Sequence, residues 1–257
     1  MNIYVLLKRT FDTEEKITIS GGKINEDGAE FIINPYDEYA VEEAIQVREA
    51  HGGEVTVISV GSEEAEKQLR TALAMGADKA VLINTEDDLA SLDQYTTAKL
   101  LAEFLKEKEV DLIIGGNVAI DGGSGQVGPR VAELLAIPSV TTITKLTIEG
   151  SKVTVVRDVE GDSEVIETSL PVLVTAQQGL NEPRYPSLPG IMKAKKKPLD
   201  KLELDDLDLD EDDVEPKTKS IEIYLPPQKE AGKVLSGELQ DQVKQLVALL
   251  HTEAKVV

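Results

Sequence analysis

Cysteine is absent from the 257-residue chain. That absence excludes disulfides, thiolate nucleophiles, iron–sulfur clusters and cysteine-held zinc. Histidine occurs only at His51 and His251, far apart in the chain, so a histidine-ligated metal or a histidine-activated nucleophile has almost no raw material. Tryptophan is missing and aromatics make up 4% of residues, which leaves no large platform for nucleic-acid bases. Basic residues are scarce, 27 against 48 acidic ones, for a formal net charge of −21. Such a field repels nucleic acid, and the single compact basic run, Lys193 to Lys197, does not overrule it. No stretch approaches the roughly 18 apolar residues of a membrane helix. The opening run Met1 to Leu7 is too short for a signal peptide, and its positive charges, Lys8 and Arg9, follow rather than precede it. A soluble, cytoplasmic protein that is not membrane-embedded is expected.

What the chain does contain is a hydrophobic fraction of 41%, enough for a packed core. Up to about residue 137, short β-branched runs alternate with helical periodicity. Strands are predicted at Ile3–Leu7, Glu54–Val60, Lys79–Ile83 and Asp111–Ile114. Helices are predicted at about Asp37–Ala50, Ser62–Met75 and Leu92–Lys108, with another starting near Ser124. Near-continuous apolar strands alternating with helices indicate a parallel sheet covered on both faces. A small hairpin is expected from Lys16–Ser20 and the turn Gly21-Gly22. Runs at Thr141–Ile148, Lys152–Arg157, Glu164–Ser169 and Val172–Thr175 read as an antiparallel extension. Beyond a Pro-punctuated loop, Asp200 to Glu215 holds ten acidic residues and reads as a solvated linker. A strand at Ser220–Leu225 and an amphipathic helix from about Ser236 to Lys255 complete the pattern. That tail packs either on a partner or back on its own domain. The expected division is an α/β nucleotide-binding domain over 1–198, an acidic linker over 199–219, and a C-terminal arm over 220–257.

The richest local motif is Asp121-Gly122-Gly123-Ser124-Gly125-Gln126-Val127-Gly128-Pro129-Arg130. It follows a predicted strand and opens a helical pattern. Glycines let backbone amides converge, and a helix N-terminus adds unpaired N–H groups and a positive dipole end, so phosphate is well served there. Gly123, Gly125 and Gly128 spell G-x-G-x-x-G, although in the last strand–helix unit rather than the first. A plain tight turn is the alternative. Asn34-Pro35-Tyr36-Asp37 precedes another helix, where Asn34 or Asp37 serves as an N-cap. These residues and Val60-Gly61 fall on the same rim of the sheet, where ligand crevices form. The carboxylate pairs Glu42/Glu43, Glu63/Glu64 and Asp87/Asp88 read as solvated helix faces, because adjacent positions diverge. No set of nucleophile, base and orienter is present, so neither catalytic nor metal residues are assigned.

One long stretch is more specific. Residues 155–175 read V-V-R-D-V-E-G-D-S-E-V-I-E-T-S-L-P-V-L-V-T, and 177–197 read Q-Q-G-L-N-E-P-R-Y-P-S-L-P-G-I-M-K-A-K-K-K. This resembles the signature of electron transfer flavoprotein beta subunits. The resemblance extends to Val5–Arg9, Asn34–Glu38, Arg70–Asp78 and the glycine loop. It implies a doubly wound, mostly parallel, Rossmann-like sheet with an antiparallel extension and an extended C-terminal arm. It further implies a heterodimer with a larger alpha subunit, FAD shared between the two, and a buried AMP in beta.

The nucleotide positions implied are Leu6, Asn34, Pro35, Tyr36, Asp37, Val60, Asp121, Gly122, Gly123, Ser124, Gly125, Gln126, Val127, Gly128, Pro129, Arg130, Val131 and Ala132. Tyr36 falls where the family places an aromatic near the flavin. A partner-recognition loop over 179–192 is implied as well, with Leu180, Asn181, Pro183, Arg184, Tyr185, Leu188, Ile191 and Met192 as docking residues and Leu180 as the anchor. The implied activity is electron relay from dehydrogenases, such as acyl-CoA dehydrogenases of fatty acid oxidation, through FAD to a membrane quinone oxidoreductase. The loop D-G-G-S-G-Q-V-G-P shares V-G-P with members that bifurcate electrons from NADH and hold a second FAD where AMP would sit, yet it lacks their D-T-A. AMP is the expected nucleotide and a second FAD the alternative. A stand-alone nucleotide-binding stress-type protein is a remote third reading, which leaves the loop and arm without purpose.

Overall fold

The computed structural model describes residues 1–85, 92–229 and 231–256. In chain order the first strands are β1 (Asn2–Leu6), β2 (Arg9–Phe11), β3 (Ile19–Ser20), β4 (Lys23–Ile24) and β5 (Phe31–Ile33), followed by α1 (Pro35–His51), β6 (Glu54–Gly61), α2 (Glu66–Met75) and β7 (Lys79–Asn84). Next come α3 (Gln94–Lys106), β8 (Leu112–Gly116), α4 (Val127–Leu134), β9 (Ser139–Glu149), β10 (Lys152–Val159), β11 (Asp162–Ser169) and β12 (Val172–Ala176). The chain closes with α5 (Leu188–Ala194), β13 (Leu199–Leu202) and α6 (Leu239–Leu249). Two compact units result: one comprises residues 1–17 and 25–221, the other residues 18–24 and 222–257.

The larger unit is built on a nine-stranded sheet in the order β11-β10-β9-β12-β8-β1-β6-β7-β13. β1 pairs in parallel with both β6 and β8, and β12 pairs in parallel with β8 and β9. Along β1, Ile3 and Val5 join one core layer while Leu6 joins the other. Side chains of α1 and α2, among them Val41, Ile45, Leu69 and Leu73, fill the first layer. The second is filled from α3 and α4 by Leu101, Leu105, Val131 and Ala132. Apolar side chains on both strand faces are what a sheet covered by helices on two sides requires. The chain runs outward from β1 to β6 and β7, then returns to β8 on β1's other side. A crevice therefore opens beyond the carboxyl ends of β1 and β8, where helices of opposite faces diverge.

Several expectations need correction. The run 172–175 is no part of an antiparallel extension; β12 is a central parallel strand, buried at all five residues, and its lack of alternation was the signal. Only β9, β10 and β11 form an antiparallel meander. Residues 220–225 form no strand, and the final helix is shorter than expected, ending in a wider turn over 250–254. The Pro-punctuated loop contains α5.

The acidic segment is packed rather than solvated. β13 pairs in parallel with β7, and Leu204, Leu209 and Val214 are buried in the second core layer. The interleaved leucines are thus an apolar face, with the carboxylates turned outward. Asp93 fastens the end of this segment. One of its oxygens accepts the Thr96 amide and caps α3. The other accepts the amides of Lys217 and Thr218 and the Thr218 hydroxyl, at 2.8, 2.8 and 3.0 Å.

In the smaller unit β3 and β4 form the expected hairpin. No residue of α6 is buried, and Leu239, Val243, Leu246 and Val247 are exposed. Among the described residues no helix is long and apolar enough to cross a membrane.

Burial pushes the Asp93 carboxyl up, but its amide and hydroxyl donors outweigh that effect and bring it to about 2. The folded value lies below the unfolded value of about 3.9, so the stability it contributes is present above that pH and is lost as pH falls toward 2. Asp93→Asn keeps a capping oxygen and removes the charge. It should cost about 1–3 kcal/mol, flatten the acid limb of the stability curve, and speed amide exchange at Thr218. An unaltered acid limb would show that the contact carries no linkage.

Candidate functional site

A cavity of about 210 Å³ lies at the crevice between β1 and β8. Its apolar floor is formed by Leu6, Ile58, Val60 and Leu101. The backbone of Gly115, Gly116 and Asn117, at the end of β8, makes one wall, and Gln94 and Thr97 of α3 make another. Over the mouth runs the glycine loop, contributing Gly122, Ser124, Gly125, Gln126, Val127 and Gly128. The apolar floor suits a flat heterocycle, and the loop with the N-terminus of α4 suits a phosphate.

The side chains of Asp37 and Asn34 assemble this rim. Asp37 Oδ2 accepts the Lys8 amide at 2.7 Å, while Oδ1 accepts the Gly116 amide at 3.0 Å and Asn34 Nδ2 at 2.9 Å. One buried carboxylate thus joins the ends of β1 and β8 to the first turn of α1. Asn34 sits at the N-cap position of α1, but its side chain caps nothing. Instead Nδ2 also donates to the Val118 carbonyl and Oδ1 accepts the Ile120 amide, at 3.0 and 3.1 Å. Those bonds fix the turn that leads into the glycine loop. The pair was legible as cap residues, and its cross-strand bonding was not.

Gly123 and Gly125 adopt φ of 65° and 59°, left-handed values that favour glycine. Gly128 is tight for a different reason: a Cβ there would lie 3.0 Å from Thr175 Cγ2. Asp121 stands at the loop's start and pairs with Lys8 Nζ at 2.7 Å. Arg130 donates to Oε1 of Gln126, the residue just before α4.

The cavity takes in ten of the residues expected from the sequence: Leu6, Asn34, Asp37, Val60, Gly122, Ser124, Gly125, Gln126, Val127 and Gly128. Pro35 and Tyr36 lie half-buried in the first turn of α1, outside its wall, and Pro129 lies in α4. Val131 and Ala132 face the core instead. Sequence reasoning missed Lys8, the end of β8 and the α3 residues. The Gly115-Gly116-Asn117 run at a strand's carboxyl end was the available signal; nothing marked Gln94 or Thr97.

The loop at 179–192 divides into an inward and an outward part. Leu180, expected as the anchor, is half-buried and packs against the first core layer. Pro183 is half-buried too. Asn181 Nδ2 donates to the Tyr39 carbonyl and to Glu43 Oε2 at 3.0 and 2.9 Å. Arg184 forks onto Glu42, with Nε to Oε2 at 2.8 Å and Nη2 to Oε1 at 3.0 Å, and onto Glu49 at 2.8 Å. Glu42 and Glu43 are therefore buried and partnered, against their reading as a solvated face. Tyr185, Leu188 and Met192 are 94%, 80% and 72% exposed, and Ile191 is exposed as well. Of the other acidic pairs, Glu63 and Glu64 are exposed, and Asp87/Asp88 lie outside the described residues. No group of three or more potential ligands forms a metal site among the described residues.

Burial pushes the Asp37 carboxyl up to about 7, against the pull of its Asn34, Lys8 and Gly116 donors and the Lys8 charge. Between about pH 4 and 7 the folded state therefore binds more protons than the unfolded one, so this group makes stability fall as pH rises through that window. Asp37→Asn should remove that decline in pH-dependent denaturation; an unchanged decline would assign it elsewhere. Gly116→Ala would place Cβ 2.1 Å from Asp37 Oδ1 and 2.8 Å from Tyr36 Cβ. It should displace the start of α1 and lower the melting temperature, measured by thermal denaturation. An unchanged melting temperature would mean that the rim yields without consequence.

Residues 21–207 match the family model of the electron transfer flavoprotein domain. The chain is 70% identical to the electron transfer flavoprotein subunit beta of Bacillus subtilis (strain 168), over the whole of both chains. It is 42% identical to that of Syntrophomonas wolfei, covering 100% of this chain and 98% of the relative. It is 38% identical to that of Mus musculus, covering 89% and 90%. With the parallel sheet, the crevice and the signature stretch already in place, the chain belongs to the electron transfer flavoprotein beta-subunit family.

Proposed function

We propose that this chain is the small subunit of a heterodimeric electron carrier. It pairs with a larger alpha subunit, shares a FAD with it, and holds AMP in its own cavity. The observation that carries this reading is the cavity at the β1–β8 crevice, with an apolar floor below and a glycine loop at its mouth. Leu6, Ile58 and Val60 would contact the adenine, and the loop amides over 122–128 would hold the phosphate. Lys8, paired with Asp121, supplies the nearest cation at the mouth. AMP in this role is structural. When bound, FAD supplies the redox chemistry of accepting and releasing electrons.

The chain's own residues contribute shape and docking. The acyl-CoA dehydrogenase type of donor would bind the exposed end of the recognition loop, and electrons would leave to a membrane quinone oxidoreductase. Leu188 takes the anchor role rather than Leu180, because Leu188 is exposed and Leu180 is packed. The exposed apolar face of α6 supports a role for the C-terminal arm in binding the alpha subunit. A cytoplasmic carrier fits this reading. Val127-Gly128-Pro129 favours a second reading, in which the same cavity takes the adenine end of a second FAD in an NADH-dependent bifurcating enzyme.

Co-expression with the alpha subunit, acid release and chromatography should yield one FAD and one AMP per heterodimer. Two FAD and no AMP would establish the bifurcating reading, and a colourless preparation would refute both. Leu188→Ala should preserve flavin content and weaken donor docking by about 2 kcal/mol. Leu180→Ala should instead lower stability, as a core truncation does. Unchanged electron transfer in Leu188→Ala would remove that residue from the docking surface.

A further inference from the structure

Helix α1 carries a polar stripe that the nucleotide site does not use. Tyr39, Glu42, Glu43, Gln46 and Glu49 recur at helical spacing and so share one face, while Val41, Ala44 and Ile45 lie in the core. Four of the five hold residues 181–184 directly. Tyr39 and Glu43 receive Asn181. Glu42 and Glu49 receive the Arg184 guanidinium, and Glu42 Oε2 also accepts the Arg184 amide at 3.1 Å. Gln46 completes the stripe by donating to Glu42 Oε1 at 2.8 Å. A buried carboxylate gripping both a forked side chain and its backbone amide fixes orientation as well as position.

The far end of the loop is held differently. Ser187 caps α5 by accepting the Gly190 amide, and a Cβ at Gly190 would lie 2.5 Å from the Ala74 carbonyl oxygen of α2. Tyr185 and Leu188, between these two attachments, and Met192 just beyond them stand in solvent.

We propose that the α1 stripe is a seat that preorganises the recognition loop, with Glu42, Glu49, Arg184 and Asn181 as positioning residues rather than docking contacts. The inference rests on the docking reading of the loop given above. Its logic is entropic. A loop that presents its apolar residues only part of the time binds a partner more weakly by that fraction, whereas one already held in place loses little freedom on binding. The charges support the geometry. Burial pushes Glu42 up, yet bonds from Arg184 and Gln46 hold its carboxyl below the usual range. Glu49 is also held low by Arg184. Glu43 is raised by burial, Asn181 notwithstanding.

The test uses the purified heterodimer with Glu42→Gln, Arg184→Lys and Leu188→Ala. Amide exchange over residues 180–187 is followed by mass spectrometry. Electron transfer is measured at varied carrier concentration with an acyl-CoA dehydrogenase reduced by its substrate. Glu42→Gln should accelerate loop exchange and raise the half-saturating carrier concentration about tenfold, with the maximal rate and flavin content unchanged. Leu188→Ala should raise half-saturation without altering exchange. Arg184→Lys keeps the charge but loses the fork, and it should reproduce the Glu42→Gln result even if that variant loses flavin. If Leu188→Ala is impaired while Glu42→Gln and Arg184→Lys match the parent, the seat is overturned. If none of the three changes half-saturation, it is the docking reading that fails.

Discussion

The carboxylate of Asp37 is the point on which the rest of the crevice depends. It is buried at the one place where the ends of two parallel strands and the start of a helix must meet. Each of the two strand ends brings a backbone amide, from Lys8 and from Gly116, and the single carboxylate accepts both. Gly116 is glycine because the carboxylate occupies the space a Cβ would need. Asn34 extends the same network to the turn at 118–120 and through it to the glycine loop. The wall and the mouth of the cavity therefore depend on one polar network. Its cost is a carboxyl held near the limit of ionisation at neutral pH.

The alternation of short apolar runs with helical periodicity made the sheet and its covering helices legible, because both are local consequences of burying strands on two sides. β12 was visible as a strand but misplaced, since its uninterrupted burial reflects neighbours far away in sequence. The glycine loop was legible for a similar local reason: positive φ at Gly123 and Gly125 demands a residue without Cβ. Asn34 and Asp37 were placed on the right rim, but only their capping was legible locally, because their partners Gly116, Val118 and Ile120 lie more than seventy positions away in the chain. Glu42 and Glu43 were misread because an acidic helix face has the same pattern whether water or an arginine lies opposite. Only the pairing with residues 181 and 184 decides that, and nothing in a local window encodes it. The interleaved leucines of the acidic segment posed the same ambiguity.

Helix α1 connects the crevice with the loop at 179–192. Its first turn closes the crevice at the carboxyl ends of β1 and β8, its apolar side fills the core, and its polar side holds residues 181–184. A 17-residue helix serves all three because helical periodicity separates the faces. This economy leaves little freedom for change. A substitution that tilts α1 is felt at the crevice and at the loop together.

The packing of the acidic segment has a consequence for colloidal behaviour. Without β13, strand β7 would end the sheet as a bare edge of buried apolar residues from Ala80 to Ile83. Such an edge offers unpaired amides and carbonyls to any other chain, which is the usual route to edge-to-edge aggregation. The covering strand is four residues long, carries Asp200 and Lys201, and leads into a run of carboxylates. At the opposite edge β11 bears Glu164 and Glu167. Each margin of the sheet is thus either short or charged, so the acidity that repels nucleic acid also insulates one molecule's sheet from the next.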